Sequence, residues 1–381
     1  MKISILQPRV SYYIGGSEKV ALKHAEVLSK IQGNIVTLYT IKPIDGKYSP
    51  FFEKLINNSP RVKIIELEVP QKYNFIYEEE PELNQSRWDR ETILFSLLVY
   101  NKLIEQRADI VLSYYIADAV FRNLNIPNVV YFGGHPKDEI EIYNAFLSFC
   151  DATISNSKNV QNMWIKKIQK NKISLNYILP KGAEILESSK KIFNNDDINL
   201  VFAGRLIQGK GVEILIEVFE KLIKNHPKAK LWILGDGPEK NTLMKQVSLY
   251  GLNGSIIFCG FIENIQDYFQ SATICVFPSV HGTPHREGLM TVVVEAMAVG
   301  ACVVTSEGMG SEELIENKKN GILIKSIDTN SLYKTLEDLI SDPEKRRKIG
   351  HEAFIYVSEN LSWQKVGEEL NRILKDVITA F

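Results

Sequence analysis

Two cations flank a glycine-rich turn in the segment FAGRLIQGKG, residues 202–211. The pattern predicts that a strand ends at Gly204 and that a helix begins near Gly211, with Arg205 and Lys210 between them. Fixed positive charges on a permissive backbone at the carboxyl end of a parallel strand can bind an anion, and a pair of phosphates would suit the site. Taken alone, the same side chains fit solvated loop charges equally well.

A second segment whose residues could take part in binding or catalysis is FPSVHGTPHREGLMTVVVEAMAVGACVV, residues 277–304. It predicts a strand, a loop that ends in Glu287 and Gly288, and then a helix that contains Glu295. The first N–H groups of such a helix, from about Gly288 to Thr291, have no partner within the helix and can hold an anion. The segment therefore predicts a phosphate-binding site.

The spacing of Glu287 and Glu295 limits what the two carboxylates can do together. Eight helical residues separate them by ~12 Å along the axis and by about 80° around it. They cannot act on one atom, but they can bind hydroxyl groups on either side of a diphosphate, which is the layout of a nucleotide sugar. Glu287 could instead be a helix-terminal charge worth ~1 kcal/mol. Glu295 lies among valines, alanine and methionine, where a carboxylate needs a partner.

A metal is not required by this site. No Asp-x-Asp pair follows a predicted strand, and the two cations with the helix N-terminus can stabilise a leaving diphosphate. His281 and His285 are four residues apart, but Gly282 and Pro284 between them oppose a helix that would bring both rings to one ion. We interpret both histidines as loop residues.

Composition restricts the class of protein. The chain has 381 residues, 45% of them apolar, which is enough for two hydrophobic cores. Its formal net charge of -1 argues against nucleic acid as a partner. The N-terminus lacks a signal-peptide pattern, and the apolar stretch at 92–100 is too short for a membrane span, so we expect a cytoplasmic protein. The four cysteines are scattered and predict buried free thiols.

Strands and helices alternate along the chain, which predicts parallel sheets covered by helices. Residues 70–90 show neither the apolar spacing of a helix nor that of a strand, and they predict a long loop. The polar segment 187–197 predicts a linker between domains at 1–186 and 198–360, and 361–381 predict a terminal helix that could pack on the first domain. The predicted strands lie at 2–7, 34–40, 62–67, 109–113, 128–132, 152–155, 175–179, 199–203, 230–234, 255–259, 273–277, 301–305 and 321–324.

A basic segment stands out between Lys158 and Lys172. No Asp or Glu occurs from Ala152 to Ala183, while five lysines cluster beside Trp164. We favour a solvated helix face here, and leave open a peripheral contact with anionic lipid at the inner face of a membrane or with an acceptor phosphate.

Several spaced motifs resemble those of the retaining GT-B glycosyltransferases of family 4. They are GRL-x3-KG, GDGP, the Gly-Phe pair after the strand at 255–259, the EG-x6-E and EAMAVG block, and the late NGILI. The resemblance covers nearly all of residues 198–365. It implies an α/β fold of two Rossmann-like, doubly wound parallel-sheet domains facing across a cleft, with the acceptor bound by the first domain and the nucleotide sugar by the second.

The resemblance also implies a role for particular residues. It gives the diphosphate to Arg205 and Lys210, the hexose hydroxyls to Glu287 and the ribose hydroxyls to Glu295. The backbone from Gly288 through Leu289 and Met290 to Thr291 would cover sugar and phosphate; because many members have Phe-Gly in this stretch, the sugar preference of this chain stays open.

In the first domain, the resemblance is carried by YYIGGSEKVALKHAEVL and VVYFGGHPKD. It implies that Gly15 and Gly16 approach the donor phosphates through their N–H groups and that His135 lies near the donor sugar. Glycines at a strand-to-helix turn and a loop histidine are the alternative interpretations.

The resemblance implies a reaction that retains anomeric configuration and uses no protein nucleophile. It implies no cofactor, since the substrate is itself a nucleotide-diphosphate sugar. We expect its nucleotide to be UDP rather than GDP or ADP. The acceptor could be a glycan, a lipid-linked molecule or a small molecule. A GT-B phosphorylase, a sugar-nucleotide epimerase and a catalytically silent scaffold subunit share the architecture and remain alternatives.

Overall fold

A computed structural model of the protein describes residues 1–13, 15–77, 85–114, 124–134, 150–167, 175–186, 192–193, 197–280, 291–308, 310–325 and 328–381. The chain forms two compact units. One contains Met1–Pro180 together with Trp363–Phe381, and the other contains Lys181–Ser362.

The first unit is built on a parallel sheet with strand order β3-β2-β1-β4-β5-β6-β7. Central strands such as Ile110–Ser113 are buried along their whole length, as expected where helices cover both faces. The elements in chain order are β1 (Lys2–Leu6), α1 (Gly16–Lys30), β2 (Ile35–Ile41), α2 (Pro50–Asn58), β3 (Val62–Leu67), a 3-10 helix (Gln71–Tyr77), α3 (Gln85–Gln106), β4 (Ile110–Ser113), β5 (Asn128–Phe132), β6 (Ala152–Ser155), α4 (Lys158–Lys167) and β7 (Leu175–Ile178).

The second unit repeats this plan with strand order β10-β9-β8-β11-β12-β13, again all parallel. Its elements are β8 (Asn199–Ala203), α5 (Val212–Asn225), β9 (Lys230–Leu234), α6 (Lys240–Leu249), β10 (Ile256–Gly260), α7 (Ile265–Ser271), β11 (Ile274–Phe277), α8 (Thr291–Met297), β12 (Val303–Ser306), a 3-10 helix (Ser311–Glu313), β13 (Ile322–Ile324), α9 (Thr329–Ser341) and α10 (Pro343–Asn360).

The last helix, α11 (Trp363–Ala380), belongs to the first unit. Its apolar residues recur at helical spacing and are buried in that unit's core: Val366, Leu370, Ile373, Leu374 and Val377. A Cβ at Gly367 would lie 2.7 Å from Cγ2 of Val27, so α11 packs closely on α1 because Gly367 has no side chain. The C-terminal residues thus complete the core of the N-terminal unit.

All thirteen predicted strands are confirmed to within about two residues. The prediction of a loop over residues 70–90 is wrong for two of its parts, because Gln71–Tyr77 form a 3-10 helix and α3 already begins at Gln85. The 3-10 helix contacts α3, and α3 contacts β2 and β3. Ile76 is buried, and this tertiary burial outweighs the polar composition of the segment.

Within the segment predicted as a linker, Phe193 is buried in the second unit. Its ring centroid lies 4.9 Å from that of Trp232 and 5.7 Å from that of Tyr268. The described part of this segment is therefore packed on the second unit.

Candidate functional site

The sheet of the second unit has a topological switch point between β8 and β11. From β8 the chain runs outward through β9 to β10, and then returns to the other side of β8 to form β11, β12 and β13. Loops from neighbouring strands diverge at such a point and leave a crevice at the carboxyl ends of the strands, where ligands bind in open α/β sheets. Arg205 and Lys210 follow β8, while Thr291 and Glu295 follow β11. The topology therefore brings the two sequence segments to the two sides of one crevice.

The two cations of the turn after β8 differ in their exposure to solvent. Arg205 is exposed, whereas Lys210 is only 8% exposed. Gly211 is the N-cap of α5 and has the left-handed conformation, with φ of 70°, and a Cβ built on it would lie 1.9 Å from the carbonyl oxygen of Pro278. Glycine is therefore required at this position both by the backbone conformation and by the lack of space.

The Gly-Asp-Gly-Pro loop after β9 supports the turn that carries Arg205. The Leu206 N–H donates to the Asp236 carbonyl at 2.9 Å, and the Glu239 N–H donates to the Leu206 carbonyl at 3.0 Å. A Cβ at Gly235 would lie 1.9 Å from the carbonyl oxygen of Gly204, so the two loops are in direct backbone contact. The sequence singled out this motif only by resemblance; the structure assigns it the support of the neighbouring turn.

Asp236 also braces its own loop. Its carboxylate accepts from the Gly237 N–H at 2.8 Å and from Lys240 Nζ at 2.7 Å. The Lys240 ammonium and the Gly237 N–H lower the pKa of the Asp236 carboxyl. Asp236 is therefore ionised at neutral pH and holds the start of α6.

The strand β11 leaves the sheet against the same turn. The Val280 N–H donates to the carbonyl of Gly209 at 2.8 Å, and Ser306 Oγ donates to the carbonyl of Ser279 at 2.6 Å. The backbone of residues 278–280 is thus fixed between the loop after β8 and the end of β12. Positions at the two sides of the switch point are joined by hydrogen bonds.

Helix α8 presents one partly exposed face and one buried face. Val293, Val294, Ala296 and Met297 are buried in the core, while Thr291 and Glu295, one turn apart, are partly exposed. The prediction that Glu295 lies within a helix is confirmed. Its neighbours in sequence are buried and it is not, because a helix turns residue 295 away from residues 293, 294 and 297.

Several predicted site residues lie outside the described residues. These are His135, His281, His285, Glu287, Gly288, Leu289 and Met290. Within the described ranges, no group of three or more His, Cys, Asp or Glu is arranged to hold a metal ion.

In the first unit, the paired glycines follow β1, next to the corresponding switch point between β1 and β4. Gly15 caps α1, which begins at Gly16. A Cβ on Gly15 would lie 2.6 Å from Oε2 of Glu18, a buried carboxylate whose other oxygen accepts from Gln7 Nε2 at 3.1 Å. The backbone at Gly15 therefore packs against the buried carboxylate of Glu18.

Sequence reasoning missed a buried ionic cluster beside this glycine loop. Arg9 Nη1 donates to Glu91 Oε2 at 2.9 Å, and Arg9 Nε lies 3.8 Å from Glu18 Oε1, with all three side chains at most 2% exposed. Tyr12 donates to the other oxygen of Glu91. Arg9 and Glu91 are 82 residues apart, so no local pattern could have paired them.

The structure also brings Lys181 to the start of α8, which the sequence did not indicate. Lys181 is 7% exposed, and its Nζ donates to Oγ1 of Thr291 at 3.0 Å. The contact spans 110 residues. The sequence showed only that Lys181 lies near the end of the stretch without Asp or Glu.

Trp164 in the basic segment is not available to a membrane surface. Its ring stacks on Phe132 with centroids 4.1 Å apart, and its indole N–H donates to the carbonyl of Gly134 at 2.8 Å.

Among the helices that the structure describes, none is both long enough and apolar enough to span a bilayer. The cysteines follow the prediction: Cys150, Cys275 and Cys302 are buried free thiols, and Cys259 is half-buried.

Comparison with known proteins gives consistent matches. Residues 184–355 match the family model described as glycosyl transferases group 1. An uncharacterised glycosyltransferase of Haemophilus influenzae is 26% identical over 374 residues, which cover 94% of this chain and 96% of that protein. A capsular polysaccharide biosynthesis glycosyltransferase of Staphylococcus aureus is 26% identical over 187 residues, which cover 48% of each chain.

Among solved structures, HepE of Anabaena has the same fold. It matches with a TM-score of 0.76 and 18% identity, over 99% of this chain and 100% of that one. HepE has been solved in complex with UDP and with UDP-glucose. At this level of identity the likeness shows the fold, which is the GT-B arrangement of two Rossmann-like units.

Proposed function

We propose that the chain is a glycosyltransferase that moves a hexose from a nucleotide-diphosphate sugar to a hydroxyl acceptor with retention of anomeric configuration, which its relatives named as glycosyltransferases and the matching family model support. The observation that carries the proposal is the switch point of the second unit. Two cations follow one of its strands, and a helix with a partly exposed carboxylate follows the adjacent strand.

The crevice provides a suitable chemical partner for each part of the donor. Arg205 and Lys210 bind the diphosphate, since two cations at the carboxyl end of β8 match two neighbouring phosphates. Glu295 accepts from the ribose hydroxyls, and Glu287 from those of the hexose. Gly15, Gly16 and His135 act on the same donor from the first unit. The backbone from Gly288 to Thr291 covers the sugar and the phosphate.

Donor binding tests these roles. Glu295→Ala and Lys210→Ala each remove a charge-assisted hydrogen bond, worth ~1.5–3 kcal/mol, so the dissociation constant for UDP should rise about 10- to 100-fold. Titration calorimetry after a thermal-shift comparison of UDP, GDP and ADP measures this. Glu220→Ala on α5 and Lys230→Ala at the amino end of β9 are controls away from the crevice. Unchanged affinity in the two site variants would remove the assignments.

For the chemical step, we propose that the acceptor attacks from the face that the diphosphate leaves. The leaving phosphate receives the acceptor proton, and Arg205 and Lys210 stabilise its charge, so no metal ion and no protein nucleophile take part. Mass spectrometry of the enzyme during turnover tests this, because a glycosyl group bound covalently to a side chain would contradict the mechanism.

The donor nucleotide and the pathway are part of the same proposal. HepE binds UDP and UDP-glucose, and the Staphylococcus aureus relative is named for capsular polysaccharide biosynthesis. These neighbours support UDP as the nucleotide and cell-surface polysaccharide or glycoconjugate synthesis as the setting. The acceptor is then a glycan, a lipid-linked molecule or a small molecule, and the enzyme acts in the cytoplasm or at the inner face of the membrane.

A further inference from the structure

Two partly exposed aromatic side chains lie beside the glycine loop of the first unit. Tyr13 belongs to the loop between β1 and α1, and Trp88 lies near the start of α3. Their ring centroids are 6.0 Å apart. A Cβ built on Gly15 would lie 3.2 Å from Cε1 of Tyr13, so the glycine backbone directly adjoins these rings. The aromatic pair Tyr13–Trp88 thus lies in the region that follows β1, at the switch point of the first sheet.

The two rings of the aromatic pair do not cover one another. Their planes meet at 59°, so they form a corner rather than a stack. Trp164 of the same unit shows the contrast, because its ring is stacked on Phe132 with an interplanar angle of 14° and the residue is only 8% exposed. Tyr13 and Trp88 are both partly exposed. The aromatic pair therefore offers ring surface to a ligand, whereas the ring of Trp164 is used in packing.

The buried ionic cluster holds Trp88 in place. The Arg9 guanidinium lies 5.0 Å from the centroid of the Trp88 ring, which is a cation–π contact. Arg9 donates to Glu91 at 2.9 Å, and both side chains are at most 1% exposed. Glu91 lies one turn after Trp88, so α3 supplies both the ring and the carboxylate that fixes Arg9. A surface that is fixed before its ligand arrives loses little conformational entropy on binding.

The chemistry of the aromatic pair suits a sugar ring. One face of a pyranose consists of C–H groups that pack on an aromatic plane, while its edge carries hydroxyls that need polar neighbours. The surroundings of the pair are polar, with Arg9 against Trp88 and the glycine loop at the start of α1 against Tyr13. An acyl or polyprenyl chain would require an apolar border instead.

The proposed function identifies which sugar this is. In that proposal the hexose of the donor is bound by Glu287 and covered by the backbone of residues 288–291, all in the second unit. A sugar-binding surface on the first unit is then available to the acceptor.

We propose that Tyr13 and Trp88 bind a pyranose ring of the acceptor. The inference rests on the proposed function, because it needs a sugar-transfer site beside the glycine loop. It narrows the acceptor from a glycan, a lipid-linked molecule or a small molecule to a molecule that presents a sugar ring. Tyr13 and Trp88 then determine acceptor specificity and take no part in donor binding.

The test measures the binding of simple sugars to the complex with UDP. Methyl glycosides of glucose, galactose, mannose and N-acetylglucosamine are titrated at millimolar concentrations and followed by saturation-transfer NMR. An octyl tetraethylene glycol ether provides an apolar chain without a sugar. The proteins are the wild type, Trp88→Leu, Trp88→Tyr, Tyr13→Leu and the control Trp363→Leu. Trp363 is also partly exposed in the first unit, but its ring lies against His24, about two turns along α1 from Gly16.

We expect the wild type and the control to transfer saturation to the C–H protons on one face of the sugar ring. Trp88→Leu and Tyr13→Leu should weaken sugar binding about 10-fold or more, because each removes one aromatic plane. Both should retain affinity for UDP, which also shows that they are folded. Trp88→Tyr keeps an aromatic plane and should retain most of the sugar binding.

Several results would overturn the inference and leave the proposed function intact. These are a wild type that binds UDP but none of the sugars, leucine variants at Tyr13 and Trp88 that bind the sugars like the wild type, an equal loss in the Trp363 control, and displacement of the sugars by the octyl ether. A wild type that binds none of UDP, GDP and ADP would overturn the proposed function and the inference with it.

Discussion

Gly211→Ala should separate the geometry of the crevice from the stability of the fold. Gly211 has φ of 70° and lies where a Cβ would be 1.9 Å from the carbonyl oxygen of Pro278. Gly251, in the turn after α6, has φ of 67° and no atom within 4 Å of its Cβ position. The two substitutions therefore impose the same backbone strain, and only one of them adds a steric conflict.

The magnitudes differ accordingly. Alanine in the left-handed conformation costs ~1–2 kcal/mol, and this applies to both variants. Real Cβ atoms essentially never come within 3.0 Å of another heavy atom, so Gly211→Ala must also move Pro278 or the turn by about 1 Å. Lys210 is adjacent in the chain, and Val280 is hydrogen-bonded to Gly209. Because a displacement of about 1 Å in a catalytic site can cost ~10²-fold in rate, we expect that loss in kcat/KM.

The assay measures thermal unfolding, UDP affinity and donor turnover for both variants. Gly251→Ala should lose stability alone, and Gly211→Ala should lose stability, affinity and turnover. If Gly211→Ala binds UDP and turns over like Gly251→Ala, the contact between the turn and Pro278 does not position the donor, and the reasoning from steric conflict is wrong.

Two further predictions concern the first unit. Burial lowers the pKa of His24 to about 3 from an ordinary value of about 6.5, so between these values the unfolded chain takes up a proton and the folded chain does not. Stability should therefore fall as the pH drops below 6.5, by about 2 kcal/mol at pH 5, and urea unfolding of His24→Phe should show a smaller fall; an equal fall in both proteins would contradict this. A chain that ends at Ser362 lacks α11 and its five buried apolar residues, and the burial of each contributes ~1.5–3 kcal/mol to the stability of the first unit. Limited proteolysis should therefore digest the first unit of this shortened chain. Removal of the exposed Phe381 alone is the control and should have no effect.

Much of the fold could be read from local pattern. Short apolar runs between amphipathic segments marked the strands. Central strands such as β4 are buried along their whole length, and a strand buried on both faces must be apolar throughout. The pattern failed at residues 71–77 and at the start of α3, where Ile76 and Glu91 are buried by contacts that only the folded chain provides. Composition alone does not reveal contacts of that kind.

The sequence by itself determined the alternation of strands and helices, the cations of the turn after β8 and the helical position of Glu295, since each depends on neighbours within a few residues. Only the tertiary structure decided that the turn after β8 and the start of α8 flank one switch point, that the Gly-Asp-Gly-Pro loop supports that turn, and that Lys181 lies at Thr291. The physical reason is chain separation: strand order and contacts across 110 residues follow from packing the whole unit, and no local preference encodes them.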